Sequence, residues 1–150
     1  MEKIRKDYIV CIGISEDILR VISSYFGKYS NFLLINHKFN INQLDSCENI
    51  SIFVINMNIE WENIFLVINS LKNDLKYKNI PMIGFCNKKF EKEIPTELQL
   101  KFEDIILIPT KIEEILTRLE VWVKTSELIN REEIKNYEVD IDKKKIFENW

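Results

Sequence analysis

Five short apolar runs, separated by helical patterns, limit this chain to one class of fold. The runs are rich in Ile and Val and nearly continuous, and they cover residues 8–14, 32–35, 50–57, 81–86 and 105–108. Strands that are covered on both faces of a parallel sheet have this pattern, because neither face alternates with solvent. Between the runs, apolar residues recur at three- and four-residue steps, most clearly over residues 112–123, which is typical of helices packed on a sheet. The alternation over about residues 7–128 predicts a doubly wound, five-stranded parallel α/β sheet.

Size and charge narrow the function classes. The chain has 150 residues and a net charge of -3, so it can form one domain with a short appendage, and the whole chain is not attracted to nucleic acid. Only 3 glycines are present, and no GxGxxG, Walker or HExxH pattern occurs, which argues against the common phosphate-binding and zinc motifs. No apolar stretch approaches the roughly 18 residues that a membrane span needs. We therefore expect no membrane association.

The cysteines indicate a reducing compartment. Cys11, Cys47 and Cys86 are odd in number and widely spaced, and none belongs to a CxxC motif. This usage is typical of reduced thiols in a cytoplasmic protein, and two of the three lie inside apolar runs as small buried side chains. The single histidine, His37, follows the second run, where it is either a surface residue or the only available general base.

The predicted strand ends are where a ligand or a reaction would be found. In open α/β sheets, ligands bind beyond the carboxyl ends of the strands. Gly13 and Ile14 lie at the end of the first run, Asn56 and Asn58 lie around the end of the third, and Cys86 ends the fourth. The asparagines could bind a small polar ligand.

Several of these features resemble a response-regulator receiver domain. They are the five βα units, Met57 near the end of the third run, the Ile80-Pro81 step that opens the fourth, and the Ile108-Pro109 step after the fifth. Residues 103–109 and 114–119 are similar to the acidic pair, lysine-proline step and last helix of the OmpR/PhoB branch. The resemblance covers most of residues 7–126 and implies a CheY-like (βα)5 receiver fold.

The positions that a receiver uses for phosphorylation are uncharged in this sequence. By this resemblance, the family's acidic pair corresponds to Gly13 and Ile14, and its phosphoacceptor aspartate corresponds to Asn56. The switch threonine corresponds to Cys86, the switch aromatic residue to Ile105 and the lysine to Ile108. An aspartyl-phosphate reaction needs a carboxylate nucleophile and oxygen ligands for a divalent cation. The resemblance therefore implies a degenerate receiver, with no catalytic residue, cofactor or metal, that phosphotransfer does not switch.

Two acidic residues follow the vacated pair in the sequence. Glu16 and Asp17 can complement the dipole at the start of the first helix, or they can form a shifted metal site together with Asn56. The position of both residues at the start of a helical pattern favours the first interpretation.

The resemblance also implies a dimer. Members of the OmpR/PhoB branch dimerise through the fourth helix, fifth strand and fifth helix, and the resemblance carries Glu103, Asp104 and Arg118 to that face, with Lys111 as a weaker candidate. Arg118 could pair with Asp104 across a two-fold axis, or the two could form an exposed ion pair of little energetic value. Trp122 is either a dimer anchor or a core residue, and its place on the apolar stripe favours the core.

The C-terminal residues differ in character. We expect a receiver-like domain over residues 1–126, followed by residues 127–150 as a linker and either the first strands of a winged-helix effector domain or a charged tail. Two functions remain open. One is the phosphorylation-independent N-terminal domain of a transcription regulator that reaches DNA through a further domain, and the other is a stand-alone protein-interaction module in two-component signalling.

Overall fold

The computed structural model describes residues 6–36, 38–58 and 61–136. The strands are β1 (Asp7–Ile12), β2 (Ser30–Ile35), β3 (Ile50–Asn56), β4 (Met82–Asn87) and β5 (Asp104–Ile108). The α-helices are α1 (Glu16–Phe26), α2 (Trp61–Lys72), α3 (Thr96–Gln99) and α4 (Ile112–Asn136). Two 3-10 helices span Ile41–Ser46 and Lys88–Glu93.

The five strands form one parallel sheet in the order β2-β1-β3-β4-β5. This order and direction confirm the predicted doubly wound sheet. β3 is the middle strand, and six of its seven residues are buried because helices cover both faces. The order reverses direction between β1 and β3, and such a switch point is where open α/β sheets bind ligands.

Alternate residues of each strand contribute to two separate apolar layers. Ile9 and Cys11 pack with α1 and α4 on one face, whereas Val10 and Ile12 pack with α2 on the other. Because successive strand residues point to opposite faces, each buried strand has to be apolar at every position. This is why the sequence shows continuous apolar runs.

The end of β1 differs from the sequence prediction, and the last two helices have bounds that the sequence pattern leaves open. β1 ends at Ile12 rather than at residue 14, because Gly13 has a φ of 69°, a conformation that ends the strand and favours glycine. The segment between β4 and β5, which has only a weak helical pattern near residues 97–102, forms a 3-10 helix and the four-residue α3. α4 runs without a break through the predicted domain boundary at residue 126.

Some sequence predictions fall outside the described residues. His37 is one of them, and residues 137–150, on which the winged-helix prediction depends, are another. Within the part of the chain that the structure does describe, no helix is both long enough and apolar enough to cross a membrane.

Candidate functional site at the carboxyl edge of the sheet

The end of β1 and the start of α1 form a tight connection. The Gly13 amide donates to the Ile35 carbonyl at 2.8 Å, which holds the turn against the end of β2. Ser15 is the N-cap of α1, and its hydroxyl accepts from the Ile18 amide at 3.5 Å. Glu16 and Asp17 lie in the first helical turn, where acidic side chains complement the helix dipole.

Asn56, at the predicted phosphoacceptor position, is bound at both ends of its side-chain amide. Nδ2 donates to the Gly13 carbonyl at 2.9 Å, and Oδ1 accepts from the Asn58 backbone amide at 2.9 Å. The first bond joins the end of β3 to the turn after β1, and the second closes the turn after β3. The side chain is therefore committed to backbone groups.

The hydrogen bonds continue to the next strand. The Asn58 side-chain oxygen accepts from the Asn87 backbone amide at 3.0 Å, and the Asn87 side-chain oxygen accepts from the Lys89 amide at 3.0 Å. We call Asn56, Asn58 and Asn87 the asparagine network. It connects the carboxyl ends of β1, β3 and β4 through hydrogen bonds between neutral groups.

The remaining predicted positions add no charge to this edge. Ile14 and Cys86 are buried, and Ile105 and Ile108 are half-buried in the apolar layers. The Cys86 thiol donates to the Asn87 carbonyl at 3.4 Å, and burial raises its pKa, so it stays protonated near neutral pH. Among the described residues, no group of three or more His, Cys, Asp or Glu is placed to hold a metal ion.

The face predicted for dimerisation contains an ion pair whose two residues belong to the same chain. Arg118 Nε donates to Asp104 Oδ2 at 3.0 Å, and Arg118 Nη2 donates to Asp104 Oδ1 and to the Ile105 carbonyl. The hydrogen bond to Asp104 raises the pKa of Arg118 above its ordinary value. A two-fold contact between these residues would therefore have to share or replace the intrachain pair.

The other residues predicted for this face are separated from that pair. Glu103 accepts from the Met82 amide and binds Lys72 Nζ at 3.4 Å, so it joins the end of α2 to the start of β4. Lys111 is exposed just before α4. Trp122 is half-buried against the apolar layer, as the core interpretation predicts, and its Nε1 donates to Asp104 Oδ2 at 3.5 Å.

No protein-family model and no curated protein matches this sequence. Solved structures do match. The N-terminal signal receiver domain of a two-component response regulator from Bacteroides fragilis aligns with a TM-score of 0.61 at 12% identity, over 79% of this chain and 98% of that one. A response regulator from Desulfuromonas acetoxidans aligns with a TM-score of 0.62 at 16% identity, over 81% and 98%. A receiver-modulated diguanylate cyclase from Pelobacter carbinolicus aligns with a TM-score of 0.60 at 15% identity, over 85% and 99%.

The chain has the response-regulator receiver fold. At the carboxyl edge of this receiver fold, none of five residues carries a charged side chain: Gly13, Ile14, Asn56, Cys86 and Ile108. Hydrogen-bonded amides can bind and orient a ligand, but an amide that donates and accepts with backbone groups is not a nucleophile.

A cavity of about 750 Å³ opens beside the asparagine network, between the strand ends and α2. We call it the carboxyl-edge cavity. Asn56 and Asn58, which the sequence offered as binders of a small polar ligand, line it, as do Asn36, Lys38 and Asn63. The last three residues were not among the predicted site residues. The position of Asn36 and Lys38 directly after an apolar run could have indicated them.

Proposed function

We propose that this receiver-fold domain is a pseudo-receiver, a signal-transduction module that works without aspartyl phosphorylation and through association with other protein surfaces. The observation that carries the proposal is the Asn56 amide, which stands at the predicted phosphoacceptor position with Nδ2 and Oδ1 bound to backbone groups. A phosphoacceptor needs a free carboxylate oxygen, and the reaction needs a divalent cation to neutralise the phosphoryl group.

Incubation with acetyl phosphate and Mg²⁺ tests the chemical half of the proposal. The intact mass of the wild-type chain should not change, while an active receiver domain in a parallel tube gains about 80 Da, the mass of one phosphoryl group. The Asn56→Ala variant is the matched control for any mass that does appear. A wild-type adduct that disappears in Asn56→Ala would contradict the proposal, because it would place a phosphoryl group at this position.

We infer homodimerisation through the β4–β5 connection, β5 and α4 as the form of association. Two large apolar side chains of that connection are exposed, Leu100 at 80% and Phe90 at 43%. Lys111, which directly precedes α4, is also exposed. Exposed large apolar side chains favour a contact with another protein surface. Because Asp104 and Arg118 bind each other within the chain, substituting either would also break an intrachain ion pair. A substitution at Leu100 tests the face without this effect.

Leu100→Glu should shift a dimer towards monomer in sedimentation equilibrium without changing the fold. The matched control is Leu75→Glu, which changes a side chain of nearly equal exposure, 82%, in the connection between α2 and β4. A wild-type chain that stays monomeric, or a dimer that both variants leave unchanged, would contradict this association face. A monomer would favour the alternative function, a stand-alone interaction module in two-component signalling without DNA binding.

The transcription-regulator form of the proposal has its own test. It requires a DNA-binding domain beyond residue 150, so a reading frame that continues into a helix-turn-helix would support it. Residues 1–150 would then bind no operator DNA by themselves, and their contribution would be the association of two copies.

A further inference from the structure

The carboxyl-edge cavity has the size and position of a small-molecule site. Its volume of about 750 Å³ lies within the range of known ligand pockets, roughly 300–1,000 Å³. It lies at the switch point of the sheet, at the ends of β1, β2 and β3. Its floor consists of buried apolar side chains, Ile12, Ile35 and Val67.

Two exposed side-chain amides line the cavity together with this apolar floor. The side chains of Asn36 and Asn63 line the cavity, and neither forms a hydrogen bond with the part of the chain that the structure describes. Each amide can donate two hydrogen bonds and accept others, and paired donor and acceptor groups of this kind match the edge of a heterocycle. The asparagine network holds Asn56 and Asn58 in place beside them, so part of the polar wall is fixed before a ligand arrives.

An aromatic and an aliphatic side chain complete the wall. Phe39 is half-buried, and Leu66 on α2 is 67% exposed, although both line the same cavity. An exposed leucine and an aromatic ring that line one cavity offer apolar surface that a flat ring can cover, and stacking on an aromatic ring stabilises such a contact.

Charge narrows the ligand class further. Of the described residues that line the cavity, Lys38 alone carries a formal charge, and it forms no described ion pair. A lysine ammonium with no carboxylate beside it attracts a phosphate or a carboxylate group. The second large cavity, of about 700 Å³ at the opposite end of the sheet, contrasts with this, because Asp45 and Glu48 line it together with Lys76.

We propose that the carboxyl-edge cavity binds a flat heterocycle that bears one anionic group, the chemistry shared by nucleoside monophosphates and heteroaromatic carboxylates. The ring lies against Phe39 and Leu66, its polar edge binds Asn36 and Asn63, and the anionic group binds Lys38. The site goes beyond the proposed association function and does not depend on it. It would make the domain a ligand sensor, whether or not the domain dimerises.

Two-dimensional NMR of the whole chain tests this proposal with adenosine 5′-monophosphate and nicotinate as probes, each with its neutral counterpart, adenosine and nicotinamide. At about 1 mM probe, a complex with a millimolar Kd is half occupied. We expect shifts in the side-chain amide signals of Asn36 and Asn63, and none at Asn79, which lines the other cavity. Binding of adenosine 5′-monophosphate but not nicotinate identifies a nucleotide, and the reverse identifies a carboxylate.

Charge-matched variants locate the anionic group. Lys38→Met should weaken binding of the anionic probe about tenfold, to the level of its neutral counterpart, because one charge-assisted hydrogen bond is lost. Lys76→Met removes a lysine from the other cavity and should leave the affinity unchanged. The proposal is overturned if neither anionic probe shifts Asn36 and Asn63, or if Lys38→Met and Lys76→Met bind equally well. Neither outcome would affect the acetyl phosphate or sedimentation results.

Discussion

Asp104 organises the polar contacts between β5 and α4. Its carboxylate accepts hydrogen bonds from Arg118, from the Trp122 indole and from the Ile105 backbone amide. The side chains of Asp104 and Arg118 are 21% and 34% exposed, so water screens this pair less than it screens a fully exposed pair. The bidentate geometry also fixes the Arg118 side chain against the start of β5, so the pair positions α4 on the sheet.

Arg118→Met should lower the free energy of unfolding by about 1–2 kcal/mol, because it leaves the half-buried Asp104 carboxylate without its cation. Lys111→Met is the control, since it removes an exposed lysine near the same helix and should change stability by less than about 0.5 kcal/mol. Urea denaturation followed by circular dichroism measures both. Equal midpoints for the two variants would mean that the pair contributes no more than a surface ion pair.

At the scale of secondary-structure elements, β3 and β4 approach closely around Gly84. A Cβ atom at Gly84 would overlap the Met57 side chain and lie 3.2 Å from Cδ1 of Phe102. Met57 is fully buried directly after β3, so its side chain has little room to move away. The glycine is therefore required here by close packing between elements, whereas Gly13 is required by its backbone conformation.

Gly84→Ala should cost about 1–3 kcal/mol of stability through overpacking. Met57→Ala empties the overlapping space, so the double variant should be more stable than the sum of the two single changes predicts, by more than about 0.5 kcal/mol. The control pair is Gly84→Ala with Ile115→Val, because Ile115 lies in the other apolar layer and its effect should be additive. Additive energies for Gly84 and Met57 in urea denaturation would contradict the overlap.

The sequence predicted the elements better than it predicted the contacts between them. The strands could be recognised because burial on both faces makes a strand apolar at every position, and that property is local. The bond from Asn56 to Gly13 joins residues 43 positions apart, and no local pattern indicates which carbonyl an amide will reach. A weak helical pattern near residues 97–102 did predict the short α3, which spans Thr96–Gln99, but four residues give too few turns for the pattern to fix its bounds.

At the scale of the whole molecule, one contact joins the first and last helices across the sheet face that they share. The Tyr25 hydroxyl on α1 donates to Glu120 Oε2 on α4 at 2.7 Å, and Lys124 Nζ lies 2.9 Å from Glu120 Oε1. Lys124 and Tyr25 lower the pKa of Glu120 from its ordinary value of 4.5. The hydrogen bond to Glu120 raises the pKa of Tyr25 from 10.0.

Tyr25→Phe should destabilise the protein only within a window of pH. Because folding lowers the pKa of Glu120, the ionised Glu120 stabilises the folded protein above pH 4.5. This stabilisation is lost as the pH falls through the pKa that Glu120 has in the folded protein. Because folding raises the pKa of Tyr25, the protonated Tyr25 hydroxyl stabilises the folded protein below pH 10.0. This stabilisation is lost as the pH rises through the pKa that Tyr25 has in the folded protein. Urea midpoints of wild type and Tyr25→Phe should therefore differ at neutral pH and converge at both extremes. Tyr29→Phe, which changes a tyrosine that is 70% exposed, should follow the wild type throughout.

α4 is long compared with the strands on which it packs. Val123 and Ser126 are buried on it, and the helix runs from Ile112 to Asn136. A helix of this length extends about 37 Å, whereas a seven-residue strand such as β3 extends about 23 Å. The buried Val123 and Ser126 attach this part of α4 to the sheet.

A chain truncated after Asn136 should unfold at the same urea midpoint as the whole chain, within about 0.5 kcal/mol, because it keeps every described buried residue. Truncation after Trp122 removes the buried Val123 and Ser126 and should cost about 1.5–3 kcal/mol for the valine alone. If the longer truncated chain also unfolds early, residues 137–150 stabilise the domain, and the boundary at residue 126 is wrong. If both truncated chains match the whole chain, the last described turn of the core contributes nothing, and α4 is held on the sheet by the Asp104 contacts and its earlier turns.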